Sequence, residues 1–218
     1  MSTRLKIWLP FALIYLAFFS WYTDMQGPLS DAEIEQFVAT MTAAGREPEE
    51  IAMVEQFARE DSGQQFLMAN NVDYNENPPQ VEGAEPGEDA EQLMARYMEH
   101  MFPAILARAS HPAVMGPAVF RAMDLAGIEG AEEWDMNALF RYRSRRSFLE
   151  IVTNPAFSGR HDFKAAALDK NIAFPIEPAL YLGDLRLVLG LFLLALTALI
   201  DSALLARKLK KMQASKGK

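Results

Sequence analysis

The sequence contains no cysteine. That excludes a disulfide framework, thiolate metal sites and a cysteine nucleophile, so any extracytoplasmic domain in this chain must rest on its hydrophobic core. Histidine is scarce, with His100, His111 and His161 alone, and no pair has the spacing of a zinc-protease helix. A glycine-rich phosphate loop and a G-x-S-x-G elbow are both missing. Basic side chains are few in the middle of the chain, where Thr23–Leu182 holds 12 against 27 acidic ones, a balance of −15. A surface that acidic repels nucleic acid and anionic lipid.

The remaining basic charge gathers at the two ends. Arg4 and Lys6 open the chain, and Arg207, Lys208, Lys210, Lys211, Lys216 and Lys218 close it. Each group flanks an apolar run. The first, Ile7–Tyr22, rises roughly 24 Å as a helix against a hydrocarbon core of about 30 Å. Snorkelling by Lys6 and interfacial placement of Trp21 and Tyr22 close that gap. Pro10 falls in its first turns, where a missing N–H costs little. A cleavable signal peptide is the rival reading, yet the run ends in Ser-Trp-Tyr-Thr-Asp with no small-x-small cleavage site. Residues 1–24 therefore read as a signal anchor.

The second span, about Leu185–Ala206 within residues 179–207, is apolar on every face and ends in the lysine cluster of the 208–218 tail. The positive-inside rule places both basic ends in the cytoplasm and the acidic middle outside it. The expected topology is a two-pass protein of a bacterial inner membrane with a periplasmic domain. Asp201 lies inside the second span, where a carboxylate needs a partner or water. Arg4 and Lys6 enter from the same side, so pairing with either, or snorkelling to the headgroups, is expected.

Between the spans, Ser30-Asp31-Ala32-Glu33 is a capping box, followed at helical spacing by Ile34, Phe37, Val38 and Met41. Pro48 opens a second helix with Ile51, Val54 and Phe57 on one face, closed by Gly63. Residues 25–64 thus form a helical hairpin whose apolar stripe must be buried on the domain or on a partner. Next come a strand at Gln65–Tyr74, an acidic Pro- and Gly-rich loop, and a helix capped by Asp89 that passes Pro103. Strands at Ala113–Met123 and Asp135–Tyr142 follow. Ser144 caps a further helix, which Asn154-Pro155 interrupts and which resumes from His161 to Lys170. Asn171–Ile176 is the last strand. The order over residues 65–178 is strand, helix, strand, strand, helix, strand, the split βαβ arrangement. The expected fold class is α+β: a ferredoxin-like βαββαβ domain with an N-terminal helical hairpin, flanked by two transmembrane helices.

Several residues carry a resemblance. Glu133-Trp134-Asp135, Leu139-Phe140-Arg141-Tyr142-Arg143-Ser144-Arg145-Arg146, Phe148-Leu149-Glu150, Asn154-Pro155-Ala156-Phe157 and His161 resemble small bacterial domains of the dimeric α/β-barrel superfamily, in the uncharacterised branch near the EthD-like proteins. The Met68-Ala69-Asn70 strand and Pro103 fit the same group. The resemblance implies two sheets paired face to face around a barrel interior that holds ligands or active sites. The spans, the hairpin and the acidic loop are additions to that pattern, and the hairpin is one candidate to cover the open sheet face. Relatives elsewhere in the superfamily bind haem through a histidine, which draws attention to His161. A lone helix histidine is more often a surface or capping residue, and neither cofactor nor metal is expected.

The run Arg141, Arg143, Arg145, Arg146 is the one basic concentration in the domain. On a strand, Arg141 and Arg143 point to one face while Phe140 and Tyr142 point to the other. Local ion pairing, such as Arg146 with Glu150 at i,i+4, is the plain reading. The functional reading is a carboxylate clamp on the open face, with Asn71 and Asp73 opposite. Two functions follow. The first is an anchored accessory or scaffold subunit whose partners are the lipid bilayer and either other membrane-complex subunits or a second copy, with no nucleic acid. The alternative is an anchored small-molecule-binding protein or enzyme that uses the barrel interior, with Asn71, Asp73, Arg141, Arg143 and His161 at its site.

Overall fold

The structure, a computed structural model, describes residues 3–216. The chain divides into two units, residues 1–22 with 179–218 and residues 23–178. In the first unit, α1 (Thr3–Tyr22) packs against α7 (Leu185–Lys216). Both helices are long and apolar enough to cross a membrane. Gly190 lets them approach closely, since a Cβ there would sit 3.2 Å from the Tyr15 ring. Because α1 begins at Thr3, Pro10 stands two turns inside it, and the Lys6 carbonyl loses its i+4 donor there.

The second unit is α+β. It opens with the hairpin of α2 (Asp31–Ala43) and α3 (Pro48–Arg59), and the Ser30 capping box forms as the sequence motif requires. β1 (Phe66–Tyr74) follows, then α4 (Ala90–Ala107), capped by Asp89 and continuing through Pro103. β2 (His111–Pro117) and β3 (Met136–Tyr142) lead to α5 (Arg145–Val152), capped by Ser144. A 3-10 turn at Pro155–Arg160, α6 (His161–Ala167) and β4 (Leu168–Ile176) complete it. The four strands form one antiparallel sheet in the order β2-β3-β1-β4.

Alternation along the strands decides which side chains meet the helices. Phe66, Met68 and Val72 of β1, with Ala138, Phe140 and Tyr142 of β3, face them. Phe66 stacks on its register partner Tyr142 at 5.3 Å, and Phe148 meets both rings edge-on at 5.7 and 5.0 Å. Phe57 of α3 completes the group, edge-on to Phe66 at 5.6 Å. The hairpin is therefore drawn to the helix-bearing side of the sheet. A separate core of Leu29, Ile34, Ala58 and Leu149 seals it against α5. Its apolar stripe is thus buried on the domain, as expected, and the hairpin does not cover the other face of the sheet, for which it was one candidate.

Two boundaries differ from the sequence reading. β2 spans His111–Pro117 rather than Ala113–Met123, because Pro117 has no N–H to continue the ladder. Beyond it, residues 118–134 are held by two backbone bonds among the described residues, Ala118 N–H to the Asp135 carbonyl (2.8 Å) and Ala122 N–H to the Glu132 carbonyl (2.7 Å), and by side-chain bonds from Trp134 to the Ala131 carbonyl (2.9 Å) and from Lys170 to the Gly130 carbonyl (2.7 Å). At the other end, α6 stops at Ala167 and β4 starts at Leu168. Pairing with the central β1 from Leu67 to Tyr74 captures residues whose local preference is helical.

Candidate functional site

The arginine run is structural. Arg141 is fully buried, donating to Gln65 Oε1 at 2.7 Å and to the Ala109 carbonyl. Arg143 lies just past β3, and its Nε donates to Ser147 Oγ at 3.3 Å. Arg145 lies over the Phe57 ring at 4.5 Å, donates to the Phe57 carbonyl and pairs with Glu177 at 3.2 Å. Arg146 gathers Asp24 (2.9 Å), Glu33 (2.7 Å) and the carbonyls of Gly27 and Pro28. The pair of Arg146 with Glu150 does not form, since Arg146 turns toward those acceptors and Glu150 takes Arg108 at 2.8 Å. Arg146, with help from the Ser30 hydroxyl and N–H, holds the Glu33 carboxyl at about 2. Burial would raise Asp24, but hydrogen bonds from Ser144, Gln26 and Arg146 outweigh it and lower its pKa.

The residues singled out in the sequence are not assembled into one site. Asn71 and Asp73 lie on the free face of the sheet, the side away from the helices. There Asn71 accepts from Asn137 Nδ2 at 2.7 Å, and Asp73 pairs with Lys170 at 3.3 Å. Arg141 is on the same face but is spent on its own framework. His161 is on α6, on the helix-bearing side, with its ring 6.5 Å from that of Tyr97. In the other unit, Asp201 lies 3.3 Å from Arg4 and 3.5 Å from the Trp8 indole nitrogen, while Lys6 makes no ion pair among the described residues.

The free face has an apolar row instead. Val114, Leu139, Ala69 and Phe174 stand side by side across the four strands, with Ile172 in the next row. Val114 is 58% exposed and Phe174 47%. From the β2–β3 end of the sheet, the loop 118–134 carries Val119 (94% exposed), Phe120 (68%) and Met123 (91%). These are large apolar side chains held in water by a segment with few hydrogen bonds.

On the opposite side, between the sheet, the α2–α3 hairpin, α4, α5 and α6, is a cavity of about 630 Å³. Eight of the chain's twelve methionines line it: Met41 and Met53 from the hairpin, Met94, Met98 and Met101 from α4, and Met68, Met115 and Met136 from the sheet. Its polar groups include Arg46, Glu50, His161 and Lys164. Arg46 and Glu50 pair at 3.4 Å. Lys164 Nζ sits 5.8 Å from the Tyr97 ring centroid, and its pKa is lowered by burial. His161 is lowered too, first by burial and then by the charges of Lys164 and Arg46, so its ring is neutral near pH 7. Burial raises the Tyr97 phenol. The sequence reading named His161 and missed Lys164, Arg46 and Tyr97. The available signal was methionine content, with Met94, Met98 and Met101 repeating at helical spacing on α4.

No protein-family model matches the chain, and no curated protein matches it. Among solved structures, the chain is similar to RPA0582, a protein of unknown function from Rhodopseudomonas palustris. The identity is 20% over 62% of this chain and 95% of that one, with a TM-score of 0.49. The methylated RPA0582 protein gives a TM-score of 0.50 at 20% identity, over 62% of this chain and 93% of that one. At3g17210 from Arabidopsis thaliana aligns at 14% identity over 53% of this chain and 97% of that one, with a TM-score of 0.33. The likeness to methylated RPA0582 bears on the fold alone.

Proposed function

We propose that this protein is a membrane-anchored accessory subunit that docks on another membrane-complex protein through the free face of its sheet. In this reading α1 and α7 cross a bacterial inner membrane with both termini in the cytoplasm. Residues 23–178 form a ferredoxin-like domain on the far side, related to the dimeric α/β-barrel proteins. The observation that carries it is the apolar row across the free face, exposed at Val114 and Phe174 and half-buried at Leu139, together with the exposed Val119, Phe120 and Met123 of the 118–134 loop. Large apolar side chains left exposed in this way mark an interaction site. A foreign partner is favoured over a second copy, because two domains that each carry −15 repel as they approach.

The absence of cysteine makes the test clean. Phe174→Cys and Met123→Cys variants, in native membranes, should crosslink to one foreign protein in stoichiometric yield, while Glu49→Cys on α3 should not. Adducts only to a second copy would replace docking by face-to-face pairing, and equal labelling from Glu49→Cys would remove the face as a site. A second reading, small-molecule binding, is favoured by the cavity. It places the ligand on the helix-bearing side of the sheet and not in a barrel interior built on Arg141, Asn71 and Asp73.

A further inference from the structure

We infer that the cavity is a binding site for a single-chain amphiphile with a carboxylate head, its apolar chain among the methionines and its head at Lys164. The inference deepens the second reading above and is independent of the docking face. A cavity of about 630 Å³ lies within the range of small-molecule pockets, and its lining is mostly apolar. Methionine walls suit a flexible chain of methylenes, because unbranched thioether side chains reshape around whatever fills them. A rigid, planar ligand would be served better by fixed aromatic walls.

The head group follows from the charges at the cavity. Lys164 lines it, half-buried, and makes no ion pair among the described residues. Glu50, the lining carboxylate on the hairpin side, is taken by Arg46 at 3.4 Å. The other lining carboxylate, Glu91, stands six residues before Tyr97 on α4, roughly 9 Å along the helix axis. A part-buried ammonium without a counter-ion is costly, and an incoming carboxylate relieves that cost. The neighbouring His161 ring offers an N–H to the second carboxylate oxygen. A neutral ligand leaves Lys164 as it was, and a cationic one adds repulsion. The acidic exterior of the domain gives no long-range attraction to anions, so recognition depends on this local cation.

The test is binding of the fluorescent fatty acid cis-parinarate to the full chain held in amphipol, with empty amphipol as the blank. Palmitate and hexadecanol, which differ only in the head, serve as competitors. About one parinarate per chain should bind, and Met98→Trp, which fills the cavity, should abolish it. Palmitate should compete at least about tenfold better than hexadecanol, the scale of one charge-assisted hydrogen bond. Lys164→Met should erase that preference while hexadecanol competes as before. Equal competition by the two in the native chain, or an unchanged preference in Lys164→Met, overturns the carboxylate assignment and leaves an apolar site. No binding above the blank, or binding that survives Met98→Trp in a variant of unchanged Tm, overturns the cavity as a ligand site altogether.

Discussion

Arg146→Met probes the bond between the hairpin and the rest of the domain. Arg146 joins the 24–33 segment to α5 through Asp24, Glu33 and two main-chain carbonyls. The Asp24 side chain is 2% exposed, so removing its cation leaves a buried carboxylate supported only by Ser144 and Gln26. Breaking such a buried pair from one side costs about 3–5 kcal/mol. The Glu33 side chain is a third exposed, and solvent screening holds its share to about 1 kcal/mol or less. For a domain of this size, loss of the Arg146 network corresponds to a Tm decrease of roughly 6–24 °C. Thermal unfolding of the full chain in mild detergent, followed by near-ultraviolet circular dichroism, measures it.

The pH dependence gives the sign independently. Glu33 titrates at about 2 in the folded protein against an ordinary 4.5, and Asp24 is lowered as well. Depressed carboxylates stabilise the fold fully above the ordinary value, and that stability is lost as pH falls through the folded value. The native protein should therefore lose stability as pH drops from 4.5 towards 2, and Arg146→Met should flatten the curve over that window. A smaller loss from Arg146→Met than from Glu33→Gln at neutral pH would refute the reasoning, as would an unchanged acid profile.

Other outcomes follow from the same structure. A reporter active only outside the cytoplasm should function when inserted within residues 80–87 and be silent at Lys218; a silent loop fusion at normal expression would reverse the topology. Asp201→Asn should weaken association of the two apolar helices by about 0.6–2 kcal/mol. A double-mutant cycle should assign that coupling to Arg4 and not to Lys6. Gly63→Ala should destabilise the domain by more than about 1 kcal/mol, because φ is +74° there and the new Cβ would meet the Pro28 nitrogen at 2.8 Å. A neutral result in denaturant titration would mean that the 27–28 backbone gives way.

Local chemistry was legible because its causes lie within a few residues. The Ser30 and Asp89 caps, the hairpin helices, the Phe140/Arg141/Tyr142 alternation and the two apolar runs each depend on periodicity or on one capping contact, and each stands in the structure. What lay beyond the sequence involves partners far along the chain. Arg141 reads as an exposed clamp until β3 is set beside β1, where Gln65 and the Ala109 carbonyl, 76 and 32 residues away, take its donors. Arg146 reads as the i,i+4 partner of Glu150 until Asp24 and Glu33 arrive from more than a hundred residues upstream. The methionines were visible one by one, yet only the stacking of hairpin, α4 and sheet turns eight of them to a common space with Lys164 at its wall. Periodicity specifies which face of an element is apolar. Only the chain's long-range closure decides what that face meets, and where packing stops short of filling the interior.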